Sequence, residues 1–370
     1  MRSTGAVGGE LIRGVLPGGA SDSCPGAKGS ATPRPYVFTV SATPFVSLED
    51  IRRARAVIAG GVHRTPLLSA TLLGRRVPTG AGGGVRLYLK AENLQKTGSF
   101  KPRGVLNKLR SLTAEEKRRG LITISAGNHA QALAYGAAAG GLHCVVVMPE
   151  GASETKVAAS RAYGAEVVIH GTMHQAFEKV EELREVRGLT LVHPFDDPFI
   201  IAGQGTVGLE ILEDLPDVEV VVVPIGGGGL ISGIAAAIKQ ARPSARVIGV
   251  EPQGAATLTE ALRAGKPVRL ASVATIADGL TAPIAGMHTL AHVRAFVDEI
   301  VLVSEAELSE GVRAVLQYAK LLAEPAGAAG VAALLAGTVA APSGARVAVV
   351  LSGGNIDLAR LRQVIQPASE

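Results

Sequence analysis

Tryptophan is absent from this 370-residue chain, and aromatic residues make up only 3% of it. Any core must therefore be packed from Ala, Val, Leu and Ile. Cysteine occurs twice, as Cys24 and Cys144. Two cysteines do not make a disulfide framework, and a reducing, cytoplasmic setting is the expectation. No apolar run is long enough to span a bilayer, so no membrane partner is expected. The first residues lack the compact apolar stretch of a secretory signal. The eight His and two Cys show no metal-ligand spacing, so no metal is expected. A GxSxG elbow is missing, and so is a phosphate loop ending in Gly-Lys-Ser/Thr. Neither an α/β-hydrolase nor a P-loop nucleotidase fits.

What is present is globular: 47% hydrophobic and 19% charged residues exclude a disordered chain. The net charge of +5 is dispersed. Runs such as Arg52-Arg53 and Lys117-Arg118-Arg119 fall on expected helix faces, where they read as solvated surface rather than a nucleic-acid contact. Residues 1–45 are rich in Gly, Ser, Ala and Pro without a period, which reads as a disordered leader. Order is expected from Ser47-Leu48-Glu49-Asp50, a helix start with early acids.

Beyond that point short β-branched runs alternate with Ala-rich helical stretches. The runs are 121–125, 144–148, 166–170, 218–224, 247–250, 300–303 and 347–351. They are apolar throughout, as buried parallel strands are. Strict alternation predicts a doubly wound α/β architecture. Two sheets are expected, with residues 118–198 as a small domain and 46–117 plus 199–370 as a large, discontinuous one.

Four segments carry chemistry. The first runs from Lys96 to Gly104 and contains Phe100, Lys101 and Pro102. Pro102 suits a first helical turn, which puts Lys101 at a helix N-terminus. The helix dipole there disfavours an ammonium, and a neutral amine suits Schiff-base chemistry. The second, Ser125-Ala126-Gly127-Asn128-His129, joins a strand to a helix, where backbone N–H groups can cradle a carboxylate. Asn128 there reads either as an oxyanion donor or as a plain helix cap. The third, Gly226-Gly227-Gly228-Gly229-Leu230, lets the backbone approach a phosphate closely. The fourth, Ser352-Gly353-Gly354-Asn355, ends the last strand. Ligands of open α/β sheets gather at such carboxyl ends, so one shared cleft is expected.

Together the four segments resemble the fold-type-II pyridoxal-phosphate enzymes, in particular their threonine dehydratase and serine racemase branch. The resemblance covers about residues 47–362. It extends to Ile201–Thr206, Ala277-Asp278-Gly279 and Ala323-Glu324-Pro325-Ala326-Gly327. It implies an α/β fold like that of the tryptophan synthase β chain, with two three-layer domains and mostly parallel sheets. It also implies pyridoxal 5′-phosphate as cofactor, held covalently by Lys101. Phe100 would pack on its ring and Asn128 would bond its ring oxygen. Gly226 to Leu230 would bind the phosphate, and Gly279 and Glu324 would complete the site. Ser352 would face the ring nitrogen. Ser125, Ala126, Gly127, Asn128 and His129 would bind the substrate carboxylate.

A serine at position 352 keeps the ring nitrogen protonated poorly, which makes the ring a weaker electron sink and suits β-elimination. The implied reaction turns L-threonine, and L-serine beside it, into a 2-oxo acid and ammonia. Serine racemase is the alternative, and another type-II activity such as threonine synthase a second one. Racemisation needs an acid/base on the opposite face. In eukaryotic serine racemases a serine precedes the Gly-Asn-His triplet, and here that position is Ala126. Thr275–Gly279 and Lys320–Pro325 nonetheless look racemase-like. Glu251 matches a cation ligand of those enzymes, but Thr257 stands where they carry a carboxylate, so no metal is assigned. Lys96 and Thr97 match a nucleotide contact of some relatives and read more simply as a surface loop. The likeness is to catabolic-type enzymes without a regulatory C-terminal domain, so isoleucine feedback is not expected. A homo-oligomer, dimer or tetramer, acting on a small amino acid completes the expectation.

Overall fold

The computed structural model of the chain describes residues 45–366. The expected leader, Phe45 excepted, and Cys24 lie outside the described residues. Order starts as the sequence predicts. Helix Leu48–Ile58 opens with a capping box, in which the Ser47 and Asp50 side chains each bond the other residue's backbone N–H. Its buried face carries Ile51, Ala54 and Ile58.

Among the described residues ten strands follow in chain order: β1 (Leu67–Ser69), β2 (Arg86–Ala91), β3 (Leu121–Ile124), β4 (Cys144–Met148), β5 (Glu166–Ile169), β6 (Thr190–Leu191), β7 (Val220–Pro224), β8 (Arg246–Pro252), β9 (Glu299–Val303) and β10 (Arg346–Leu351). They form two sheets. One has six strands in the order β1-β2-β10-β7-β8-β9, and the other has four in the order β5-β4-β3-β6. Every pairing is parallel except that of the edge strand β1 with β2. β3, β4 and β7 are buried at every position. Helices shield both faces, so the unbroken Val and Ile runs are what the architecture demands.

Three strands went unseen in the sequence. β1 and β6 are too short to show a period. β2 reads Arg-Leu-Tyr-Leu-Lys-Ala, and its charges disguise it. Lys90 in that strand is fully buried, because its Nζ donates to Glu210 Oε2 and to the Thr65 carbonyl, both at 2.6 Å. Residues 166–170 were expected as a buried strand. β5 instead sits at the edge of the small sheet with Glu166 and Ile169 exposed, so one side of it meets solvent.

Burial along the strands places one core on each face of the large sheet. Val347, Val349 and Leu351 enter one cluster with Val220 and Val222, while Ala348 and Val350 enter the other with Val221 and Val223. Among the described residues no helix is long and apolar enough to cross a membrane.

Candidate active site

The carboxyl ends of β3, β7 and β10, with the helix starts that follow, converge on one cleft. Its cavity is about 370 Å³, a size suited to a small ligand. Phe100, Lys101, Ser125, Ala126, Gly127, Asn128, His129, Gly226 to Leu230, Gly279, Glu324 and Ser352 all line it. The structure thus brings every expected site residue together.

Lys101 is the first residue of helix Lys101–Ser111, with Pro102 behind it in the first turn. The loop before it is fastened to the end of β10. Phe100 N donates to the Ser352 carbonyl at 3.1 Å, and Ser99 bridges Gly353. Lys101 Nζ donates to the Pro194 carbonyl at 3.0 Å and stands 5.1 Å from the centre of the Phe100 ring. Burial lowers its ammonium to about 8, while the Glu324 carboxylate pulls the other way. Desolvation is what lowers it.

Asn128 does not cap its helix with its side chain. Gly127 takes the N-cap position of helix Asn128–Ala139. The Asn128 amide is held elsewhere: its Nδ2 donates to Glu324 Oε1 at 2.5 Å, and its Oδ1 accepts from Asn355 Nδ2 at 2.8 Å. Burial raises the Glu324 carboxyl to about 7, against the pull of Lys156 and of the Asn128 bond. Lys156 pairs with Asp278 at 3.0 Å, and both line the cleft.

His129 is buried, which lowers its pKa to about 3, helped by the positive charge of Lys101. Its Nε2 lies 3.2 Å from the Val192 carbonyl, which can only accept. The hydrogen therefore sits on Nε2, and Nδ1 is a buried acceptor without a partner. A neutral imidazole of this tautomer does not hold a carboxylate by charge. At the helix start beside it, Gly127 N donates to Ser125 Oγ at 3.1 Å.

The glycine loop joins β7 to helix Gly229–Ala241. Gly228 has φ +88°, a left-handed conformation that disfavours other residues. A Cβ on Gly227 would stand 2.1 Å from Cδ1 of Phe195, and one on Gly226 would stand 3.0 Å from the Gly279 carbonyl. The loop is therefore bare on its packed side, and its helix opens at the cleft with first-turn N–H groups that have no acceptor within the helix. Such a cradle fits a phosphate. Ser352, buried at the end of β10, offers a hydroxyl and no charge. Amine, anion cradle, amide donor and hydroxyl fit pyridoxal phosphate.

Two contributors were missed. Pro194 and Phe195 carry no motif; one accepts from Lys101 and the other walls the glycine loop. Only the fold reveals them, since β6 and the loop after it have no period to read. Glu251, weighed as a cation ligand, accepts instead from Leu258 N, Thr259 N and Thr259 Oγ1 at 2.6–2.9 Å, capping the start of helix Thr257–Ala264. Burial holds its carboxyl above the usual range.

This site is that of a fold-type-II pyridoxal-phosphate enzyme. The chain matches the family of pyridoxal-phosphate dependent enzymes over residues 58–353 and belongs to it. It is 45% identical to the L-threonine ammonia-lyase of Thermotoga maritima over 86% of this chain and 78% of that protein. It is 44% identical to the catabolic L-threonine dehydratase of Escherichia coli over 86% and 96%. Among solved structures, maize serine racemase superposes with a TM-score of 0.79 at 36% identity, covering 86% of this chain and 96% of that one.

Proposed function

We propose that the protein is a pyridoxal-phosphate dependent ammonia-lyase that converts L-threonine to 2-oxobutyrate and ammonia, and L-serine to pyruvate and ammonia. The observation that carries this reading is the cleft itself, which brings the Lys101 amine together with the glycine loop, Asn128 and an uncharged Ser352. The named relatives at 44–45% identity support the same reading.

Pyridoxal phosphate, when bound, supplies the electron sink that loosens the hydrogen on the substrate α-carbon. The residues of the chain do the rest. Lys101 Nζ would hold the cofactor and, as a neutral amine, would take the α-hydrogen of the substrate. Gly226 to Leu230 would hold the phosphate by backbone N–H groups, and Asn128 would donate to the ring oxygen. Phe100, Gly279 and Glu324 line the cleft and would surround the ring. Backbone N–H groups at Ser125–His129 bind and orient the substrate carboxylate. Ser352 would offer the ring nitrogen a hydroxyl and no charge, a setting that suits loss of the β-hydroxyl. Residues 46–117 with 199–370 would carry the cofactor contacts other than that of Asn128, and 118–198 would carry Asn128 and the carboxylate turn. A small amino-acid substrate, a homo-oligomer and a cytoplasmic setting accompany this reading.

Lys101→Ala tests it. Release of 2-oxo acid should fall about a thousandfold or more, the scale of losing a positioned acid–base group, together with the visible absorption of bound cofactor. Undiminished release by the variant would remove Lys101 from the mechanism.

A further inference from the structure

The hydrogen bonds around Asn128 form a chain whose direction is fixed at one end. A backbone carbonyl can only accept. Asn355 Nδ2 lies 2.7 Å from the Thr97 carbonyl, so the atom there must be the amide nitrogen. The same nitrogen lies 2.8 Å from the Asn128 amide, so the facing atom of Asn128 must be its oxygen, Oδ1. The Nδ2 of Asn128 is thereby turned the other way and gives one hydrogen to Glu324 Oε1 at 2.5 Å. That oxygen accepts whether or not Glu324 carries a proton, so the direction survives its titration. One N–H of Asn128 remains, on a side chain that lines the cleft. Asn355 is not itself a lining residue of the cleft.

Two glycines make the chain sterically possible. A Cβ on Gly98, whose φ is +70°, would stand 2.3 Å from Asn355 Oδ1. A Cβ on Gly353 would stand 2.4 Å from Glu324 Oε1 and 3.1 Å from Asn128 Nδ2. Asn355 is thus pressed onto Gly98, and the Asn128–Glu324 bond onto Gly353.

We infer that Asn355 is a positioning residue: it carries the polarity of the Thr97 carbonyl to Asn128 and so presents an N–H donor, never the amide oxygen, to the cofactor in the cleft. The ligand atom that Asn128 meets must then be an acceptor, as an ionised ring oxygen is. The inference rests on the cofactor contact proposed for Asn128, and not on which amino acid is turned over.

The test is a pH titration of the visible absorption band of the holoenzyme, in wild type, Asn355→Asp, Asn355→Ala and Asn128→Leu. A donor to the ring oxygen stabilises the deprotonated form of the bound cofactor, so losing it raises the midpoint. Aspartate at 355 has no hydrogen to give. The Asn128 amide then turns its nitrogen toward position 355 and withdraws its donor from the cleft. Asn355→Asp and Asn128→Leu should each raise the midpoint by about one pH unit, the worth of one bond to a charged oxygen. The double variant should shift no further than either alone, since both remove one interaction. Asn355→Ala should shift the same way by less, and it stands in if the aspartate variant does not fold. A wild-type midpoint in both Asn355 variants, or shifts that add in the double variant, would overturn the inference. A holoenzyme that titrates as described but releases no 2-oxobutyrate would sink the proposed function and leave this inference standing.

Discussion

At the scale of single residues, the cleft turns on Lys101. Its amine is protonated below about pH 8. Capture of added pyridoxal phosphate by the apoprotein should therefore quicken about tenfold per pH unit up to that value and level off above it. The sign for stability follows from the same shift. The folded value of about 8 lies below the ordinary 10.5, so between those values the unfolded chain binds more protons. The apoprotein should gain stability as pH rises through that window, by thermal unfolding, and a flat profile would contradict the depressed amine. Ala126 carries a second prediction. Placing an acid/base there by Ala126→Ser should yield measurable D-serine from L-serine while elimination persists. A variant that still eliminates but gives no D-serine, by a chiral assay, would mean that position 126 does not decide between the reactions. Gly227→Ala should weaken cofactor binding about ten- to hundredfold by absorbance titration, because its Cβ would collide with the Phe195 ring. That Lys101, Asn128 and Ser352 would share one cleft was legible because their segments lie at helix starts or strand ends, while their roles came from the joint resemblance of the four segments. The charge state of His129 and the partners of Asn128 were not, since they depend on Val192, Glu324 and Asn355, remote in sequence.

At the scale of elements, the apolar strands announced themselves and the charged one did not. β4 and β7 are unbroken apolar runs with helices on both sides. β2 hides because its Lys90 belongs to a buried ion cluster. Arg103, fully buried in the first turn of the Lys101 helix, meets Glu92 at 2.8 Å and Glu210 at 2.7 Å, while Lys90 meets Glu210 at 2.6 Å. Two cations and two anions balance there, and helix, strand and the long helix Pro198–Asp214 are tied at one point. Arg103→Met should leave two buried carboxylates short of a partner and destabilise the fold by about 3–5 kcal/mol. Denaturant unfolding measures this directly. A loss under about 1 kcal/mol would mean that water or rearrangement replaces the guanidinium.

At the scale of the whole molecule, four segments spread over more than 250 residues meet in one cleft, because the parallel strands of each sheet deliver their carboxyl ends to one edge of that sheet and the ends of β3, β7 and β10 line the same cavity. That convergence was readable from order alone. The enclosure was not: Pro194 and Phe195 come from the link between the two sheets, and nothing in their sequence marks them. Because the cleft joins a neutralisable amine to an anion cradle, and because Ala126 offers no second acid, elimination is the chemistry that the assembled molecule favours.

The most direct measurement is the product balance of the purified holoenzyme on L-threonine, with L-serine beside it. The account predicts 2-oxobutyrate and ammonia in equal amounts from threonine, and pyruvate and ammonia from serine. Formation of D-serine with no 2-oxo acid from either substrate, by a protein that carries its bound cofactor, would contradict it.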